Sequence, residues 1–188
     1  MTEGHHLILG TLTDRLTGRT LADTHDERYR QKIVAHLLDV CGFAAGEVES
    51  SRMVDVVAGG KKARFPVDFI VSLGGYAAMV VRYGPGSIVT RHRSAQALCL
   101  VLAPHAIPVA VVTNGEDADV LNGGTAEVLG HGFERIPNRR ELEVILAETK
   151  RVPVSEGRRE MAGRLLYAYE VDGSCPCDTS ICKSGSDE

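Results

Sequence analysis

The chain lacks an excess of positive charge. Its 188 residues include 21 Lys and Arg against 25 Asp and Glu, which gives a formal net charge of -4 and a pI near 6.0. Proteins that hold nucleic acid through their overall field are basic, so a global electrostatic footprint of that kind is excluded. Any contact with nucleic acid must come from a local patch of basic side chains.

Long apolar runs and signal-peptide features are also missing. The longest apolar run, 97–112, is interrupted by two prolines and a histidine, so it does not span a membrane. The first residues, Met1–His6, do not show the basic and then apolar regions of a signal peptide. We therefore expect a cytoplasmic protein with no membrane partner.

The length suits one domain with a full core and a small appendage. We place the domain at residues 1–150, and a C-terminal helix with a cysteine-rich tail at 151–188. Five cysteines in a cytoplasmic protein favour free thiols or a metal site over a disulfide framework.

Apolar periodicity and turn residues predict alternating helices and strands. Thr24 and Glu27 form a capping box ahead of Tyr29, Ile33, Leu37 and Val40 at helical spacing, and Gly42 ends that helix. This order predicts an α/β fold with a mixed central sheet. The predicted strands are 7–13, 52–57, 64–73, 77–83, 109–113, 118–121 and 126–129, and the other predicted helices are 90–102, 139–149 and 156–169.

The predicted hairpin around Gly74-Gly75 carries a carboxylate, Asp68, inside its first apolar strand. A carboxylate buried there either binds a metal or is neutralised by a partner. Pairing across a three-residue loop would place Asp68 beside Arg82 on one face of the sheet. Both interpretations, metal ligand and ion pair, remain open from the sequence.

This order of elements, over roughly residues 20–148, resembles the N-terminal nuclease domain of type I restriction enzyme R (HsdR) subunits, in the PD-(D/E)xK superfamily. The resemblance implies a restriction-endonuclease-like mixed sheet flanked by helices. The residues that carry it are Glu27, Tyr29-Arg30, Pro66-Val67-Asp68, Gln96 and Val111–Gly115.

The resemblance implies metal-dependent phosphodiester hydrolysis, as an endonuclease or exonuclease, with Mg²⁺ at Asp68 and with Glu27 and Gln96 as further catalytic residues. The catalytic motif is degenerate, however. Arg82-Tyr83-Gly84 stands where the superfamily has Glu-x-Lys, and a guanidinium at a ligand position repels a cation. We expect a DNA-binding or DNA-processing protein that is weakly active or inactive as a nuclease.

Some of these residues have simpler interpretations. Glu27 sits where a capping box needs its acid, so a structural role is the leading alternative for it. Gln96 is of a type found more often at the surface than in a catalytic site. Lys61 and Lys62 are candidates to replace the missing lysine, although lysines beside a Gly-Gly turn are usually solvated.

A glycine loop, Gly84, Gly86 and Ser87, leads into a helix whose first turn contains Arg91 and Arg93. Free amides at a helix N-terminus attract anions, and the arginines add charge. This segment predicts a site for a phosphate of DNA or of a nucleotide. The alternative is a glycine turn with solvated arginines.

Three thiols, Cys175, Cys177 and Cys182, lie within eight residues of the tail. They predict a Zn²⁺ site or an iron–sulfur cluster, with Cys41 or Cys99 available as a fourth ligand. The alternative function that follows is a non-catalytic metal-binding interaction or sensor domain, with a protein partner or a second copy of itself.

Overall fold

A six-stranded mixed sheet forms the centre of the computed structural model, which describes residues 8–58 and 60–172. A separate two-stranded hairpin precedes it. The strands are β1 (Thr11–Thr13), β2 (Thr20–Ala22), β3 (Val48–Ala58), β4 (Lys61–Leu73), β5 (Tyr76–Tyr83), β6 (Val109–Thr113), β7 (Ala118–Asn122) and β8 (Val128–His131). The helices are α1 (His25–Ala35), α2 (His92–Val101), α3 (Arg139–Glu148) and α4 (Glu156–Tyr167).

The order of the large sheet follows the chain, β3-β4-β5-β6-β7-β8. Among the strands of the described residues, only β5 and β6 pair in parallel, and α2 lies in the crossover between them, as a parallel connection requires. The predicted α/β class with a mixed sheet is confirmed. Within the described ranges, no helix is long and apolar enough to cross a membrane.

Two apolar layers lie on the two faces of the sheet. One layer packs Ile33 of α1 and Leu142 of α3 against β4, β5 and β6. The other packs Leu98 of α2 and Leu166 of α4 against the opposite faces of the same strands. All five residues of β6 are buried, as predicted for a strand covered on both sides.

The first helix is shorter than predicted. It ends at Ala35 and is followed by a wide π turn, His36–Val40, in which the Cys41 N–H donates to the His36 carbonyl. The wide turn changes the helical phase, so Val40 points outward and is 69 % exposed. The prediction that Val40 belongs to the apolar face was wrong.

The structure describes residues 8–13 of the strand predicted at 7–13, and within them the strand is limited to the three residues of β1. It pairs with β2, a strand that was not predicted. A three-residue strand carries too little periodicity to be recognised from its residues alone.

The β4–β5 turn contains two residues, Gly74 and Gly75, both with positive φ (57° and 81°). This conformation suits glycine and the tight turns of hairpins. The pairing shifts between Val71 and Ser72, where Ala78 of β5 is the extra residue of a bulge, so that Phe69 lies opposite Val81. The predicted three-residue loop was wrong, but turn and bulge together restore the register that brings Asp68 to Arg82.

Candidate functional site

The carboxylate of Asp68 is buried within β4, and both of its oxygens have partners in the chain. Its Oδ1 accepts from the Arg30 Nε of α1 at 3.1 Å. Its Oδ2 accepts from the Tyr83 backbone N–H at 3.0 Å and lies 3.3 Å from the Arg82 Nη1. The side chain is 9 % exposed. The predicted pairing of Asp68 with Arg82 on neighbouring strands is confirmed.

The side chains of β4 change from one face of the sheet to the other at Asp68, so its carboxylate can contact residues on both faces. Val67 packs in the layer of α2 and α4, whereas Phe69, two residues on, packs in the layer of α1 and α3. Residues two apart in a regular strand share one face, so β4 switches faces at Asp68. On the neighbouring strand Ser51 has a positive φ of 55°. One carboxylate thereby meets an arginine from α1 and another from β5.

Arg82 is the centre of the cluster. Its Nη1 donates to the Pro66 carbonyl at 3.0 Å, and its Nη2 donates to the Glu170 Oε2 at 2.7 Å. The side chain is 10 % exposed, and its Nε has no hydrogen-bond partner among the described residues. Glu170 lies in a π turn, Ala168–Asp172, that follows α4. Glu170 was not among the predicted site residues.

The formal charges of this cluster balance. Two carboxylates, Asp68 and Glu170, face two guanidinium groups, Arg30 and Arg82. Buried charges are tolerated when they are paired and hydrogen-bonded in this way. The cluster is thus an ion-pair network with balanced formal charge.

Tyrosines extend the network toward α1. The Tyr83 hydroxyl donates to Asp26 Oδ1 at 2.9 Å, and the Arg30 guanidinium lies 5.1 Å from the centre of the Tyr83 ring. Burial, reinforced by Asp26, raises the pKa of Tyr83. The Tyr29 hydroxyl donates to Glu116, and that bond raises the pKa of Tyr29. Both phenols therefore stay protonated at neutral pH.

The structure does not bring Glu27 or Gln96 into contact with Asp68. The Glu27 N–H donates to Thr24 Oγ1 at 3.1 Å, while its carboxylate accepts from Gln31 at 2.9 Å. The Thr24 N–H donates instead to a carbonyl in β2, so only half of the predicted capping box forms. Gln96 donates to the Gly124 carbonyl, beyond the end of β7 that lies away from Asp68.

The predicted anion loop is occupied by its own arginine. Arg91 donates from Nη1 to the Ser87 carbonyl and from Nη2 to the Pro85 carbonyl, both at 2.9 Å. Its guanidinium lies against Gly84, where a Cβ would come within 2.4 Å of the Arg91 Nε. Arg93, in contrast, is exposed on the first turn of α2. Of the two arginines predicted to bind an anion, Arg93 is therefore the one that is exposed to solvent.

A second polar cluster was missed by the sequence analysis. The buried Asp119 of β7 accepts from two histidines, His92 Nε2 at 2.7 Å and His131 Nδ1 at 2.6 Å. His131 lies opposite Asp119 on β8, and its side chain is 74 % exposed. The cluster joins the start of α2 to the edge of the sheet. The three residues come from separate segments, so no local sequence pattern predicts that they form a cluster.

Across the described parts of the chain, no group of three His, Cys, Asp or Glu side chains is arranged to hold a metal ion. Cys41 and Cys99 are both buried core thiols, and burial raises the pKa of Cys41 to about 11. Cys175, Cys177 and Cys182 lie outside the described residues, so the metal predicted there stays a prediction. Lys62 is exposed, as expected of a lysine beside the β3–β4 turn.

The sheet, its two helical layers and the cluster at the carboxyl ends of the parallel pair β5 and β6 define an α/β domain with a polar site at its strand ends. The family model for the type I restriction enzyme R protein N terminus (HSDR_N) matches residues 25–137, more than half of the chain. The chain belongs to this family. No curated protein and no solved structure matches it.

The family match begins at α1 and ends just before α3. It therefore contains Arg30, Asp68 and Arg82 but not Glu170. The fourth charged member of the ion-pair network, Glu170, lies in the turn after α4, beyond the family region. This placement gives α4 and the turn after it a direct role at the site.

Proposed function

We propose that this protein is a DNA-contacting relative of the type I restriction R-subunit nuclease domain in which Asp68 does not serve as a metal ligand for phosphodiester cleavage. One observation carries the proposal: both Asp68 oxygens are taken by groups of the chain itself, two guanidinium groups and a backbone N–H. A divalent ion would have to displace Arg82 from a position 3.3 Å from Oδ2.

The other residues that the chemistry needs are also replaced. Metal-assisted hydrolysis uses a second carboxylate to hold the ion and a cation to stabilise the transition state. In this chain the corresponding positions are Arg82 and Gly84, and the space beside Gly84 is filled by the Arg91 side chain. These replacements support the loss of the catalytic role.

We expect the purified protein to leave supercoiled plasmid intact in the presence of Mg²⁺ or Mn²⁺. The reason is that the arginine partners of Asp68 already neutralise its charge, so the carboxylate does not bind the metal ion that cleavage needs. The measurement is plasmid nicking over time, compared with a reaction without protein. Metal-dependent nicking that disappears in the Asp68→Asn variant, with its fold verified by circular dichroism, would contradict the proposal and restore the nuclease assignment.

Contact with DNA is supported by the family and by one exposed basic position. Type I restriction enzymes act on DNA as a class, and Arg93 lies at the start of α2, where the helix dipole favours negative charge. Since Arg91 is bonded to the carbonyls of its own loop, Arg93 is left to meet a phosphate.

We expect Arg93→Ala to weaken DNA binding and to flatten the dependence of log K on log salt by about one unit, because one phosphate contact is lost. Fluorescence anisotropy of a labelled duplex at several salt concentrations measures both quantities. Arg140→Ala, which removes an exposed arginine from α3, is the matched control and should leave the slope unchanged. Equal slopes for the wild type and Arg93→Ala would remove α2 from the DNA contact.

A further inference from the structure

Three oxygens surround the end of the Arg82 side chain. They are Asp68 Oδ2 at 3.3 Å, the Pro66 carbonyl at 3.0 Å and Glu170 Oε2 at 2.7 Å. Asp68 and Pro66 lie on β4, whereas Glu170 lies in the turn after α4, 88 residues after Arg82 in the sequence. All three oxygens face the two terminal nitrogens of one buried guanidinium.

Two carboxylates and a carbonyl are the ligand types that hard divalent cations prefer. A guanidinium instead favours a fork of matched acceptors, and here its Nε is left with no partner among the described residues. The acceptors are therefore gathered around the Nη end of the guanidinium, and its Nε is left out of the arrangement.

We infer that Arg82 is the built-in cation of this site: it takes the place of a divalent ion between Asp68 and Glu170, and its removal opens an oxygen-lined metal site. The inference rests on the proposed function in one respect, the ion-paired state of Asp68. It goes further in assigning Glu170 as the second carboxylate and the turn after α4 as a part of the site.

Charge counting agrees with this assignment. With Arg82 present, two carboxylates and two arginines sum to zero. Without Arg82, one guanidinium remains for two carboxylates, and it is that of Arg30, which contacts Oδ1 of Asp68. Oδ2, which keeps the Tyr83 N–H, and the Glu170 carboxylate would then lose the cation that they share, and a divalent ion in its place would neutralise the excess negative charge.

The test is Mn²⁺ binding by the full-length Arg82→Ala variant, followed by electron paramagnetic resonance and by thermal unfolding. We expect one Mn²⁺ per chain and a rise in Tm of about 5 °C at saturating Mn²⁺, because an ion that binds only the folded state stabilises it. The wild type should show no bound Mn²⁺ at Asp68 and no shift.

Two variants serve as controls. Arg82→Ala combined with Glu170→Gln should lose the Mn²⁺ response, since one carboxylate is gone. Arg30→Ala removes a guanidinium from the same Asp68 carboxylate but leaves Arg82 in place, so it should not respond to Mn²⁺. A response that survives Glu170→Gln would overturn the assignment of Glu170.

If Arg82→Ala does not fold without metal, the readout becomes the refolding yield with and without Mn²⁺, alongside the milder Arg82→Gln variant. Recovery of folded protein by Mn²⁺ supports the inference. No recovery by Mn²⁺, or a folded variant that binds no Mn²⁺, overturns it. Cleavage of DNA by the wild type overturns the proposed function instead, so the two failures are distinguishable.

Discussion

Replacement of Asp68 by Ala should lower the free energy of unfolding by about 3–5 kcal/mol, the typical cost of breaking a buried ion pair from one side. The variant leaves Arg82, 10 % exposed, without one of its two carboxylate partners. It also leaves the Tyr83 N–H without its acceptor. Urea denaturation followed by circular dichroism measures the loss.

The control for this prediction is an exposed ion pair of the neighbouring hairpin. Asp55 pairs with Arg64 across β3 and β4, but the two side chains are 72 % and 64 % exposed. Exposed pairs contribute little because solvent screens them, so Asp55→Ala should hardly change stability. If Asp68→Ala costs no more than Asp55→Ala, the Asp68 network does not hold the strands and α1 together.

The second large effect is expected at Gly123, in the turn after β7. A Cβ at this position would come within 2.1 Å of the Ile107 carbonyl oxygen and 2.9 Å of the Cys99 Sγ. The carbonyl belongs to the backbone that leads into β6, so it cannot turn away as a side chain would. We expect Gly123→Ala to cost about 3 kcal/mol in the free energy of unfolding, at the upper end of overpacking substitutions.

Gly157→Ala provides the opposite result from the same chemical change. Gly157 lies in the first turn of α4, and nothing would meet its Cβ within 4 Å. Alanine has the higher helix propensity, so this variant should gain up to about 1 kcal/mol. Equal stabilities of the two variants would mean that the turn at Gly123 adapts to a methyl group.

The sequence predicted those elements whose signal is local. The β-branched run at 109–113 is β6, and Asn138 caps α3 at the start expected for it. Predictions failed where one irregular residue or turn alters the periodicity. The wide turn after Ala35 moves Val40 out of the core, and nothing in the residues 36–40 distinguishes that turn from a further turn of α-helix.

The same distinction applies to the site. Asp68 and Arg82 belong to one hairpin, so their pairing follows from register and was predictable. Glu170 and Arg30 reach the site from helices packed on opposite faces of the sheet, and their arrival depends on tertiary packing. The hydrogen bonds from Arg91 to its own loop could not be predicted either. The glycines of that loop predict free amides, but they do not indicate which carbonyls turn toward the arginine.

The most direct test of the ion-pair assignment is a crystal structure of the wild-type protein grown in Mn²⁺, with anomalous diffraction data. We expect the Arg82 guanidinium between Asp68 and Glu170, as in the present structure, and no anomalous peak in that position. An anomalous peak about 2.2 Å from Asp68 Oδ2, with Arg82 turned out of the site, would show instead that Asp68 is a metal ligand.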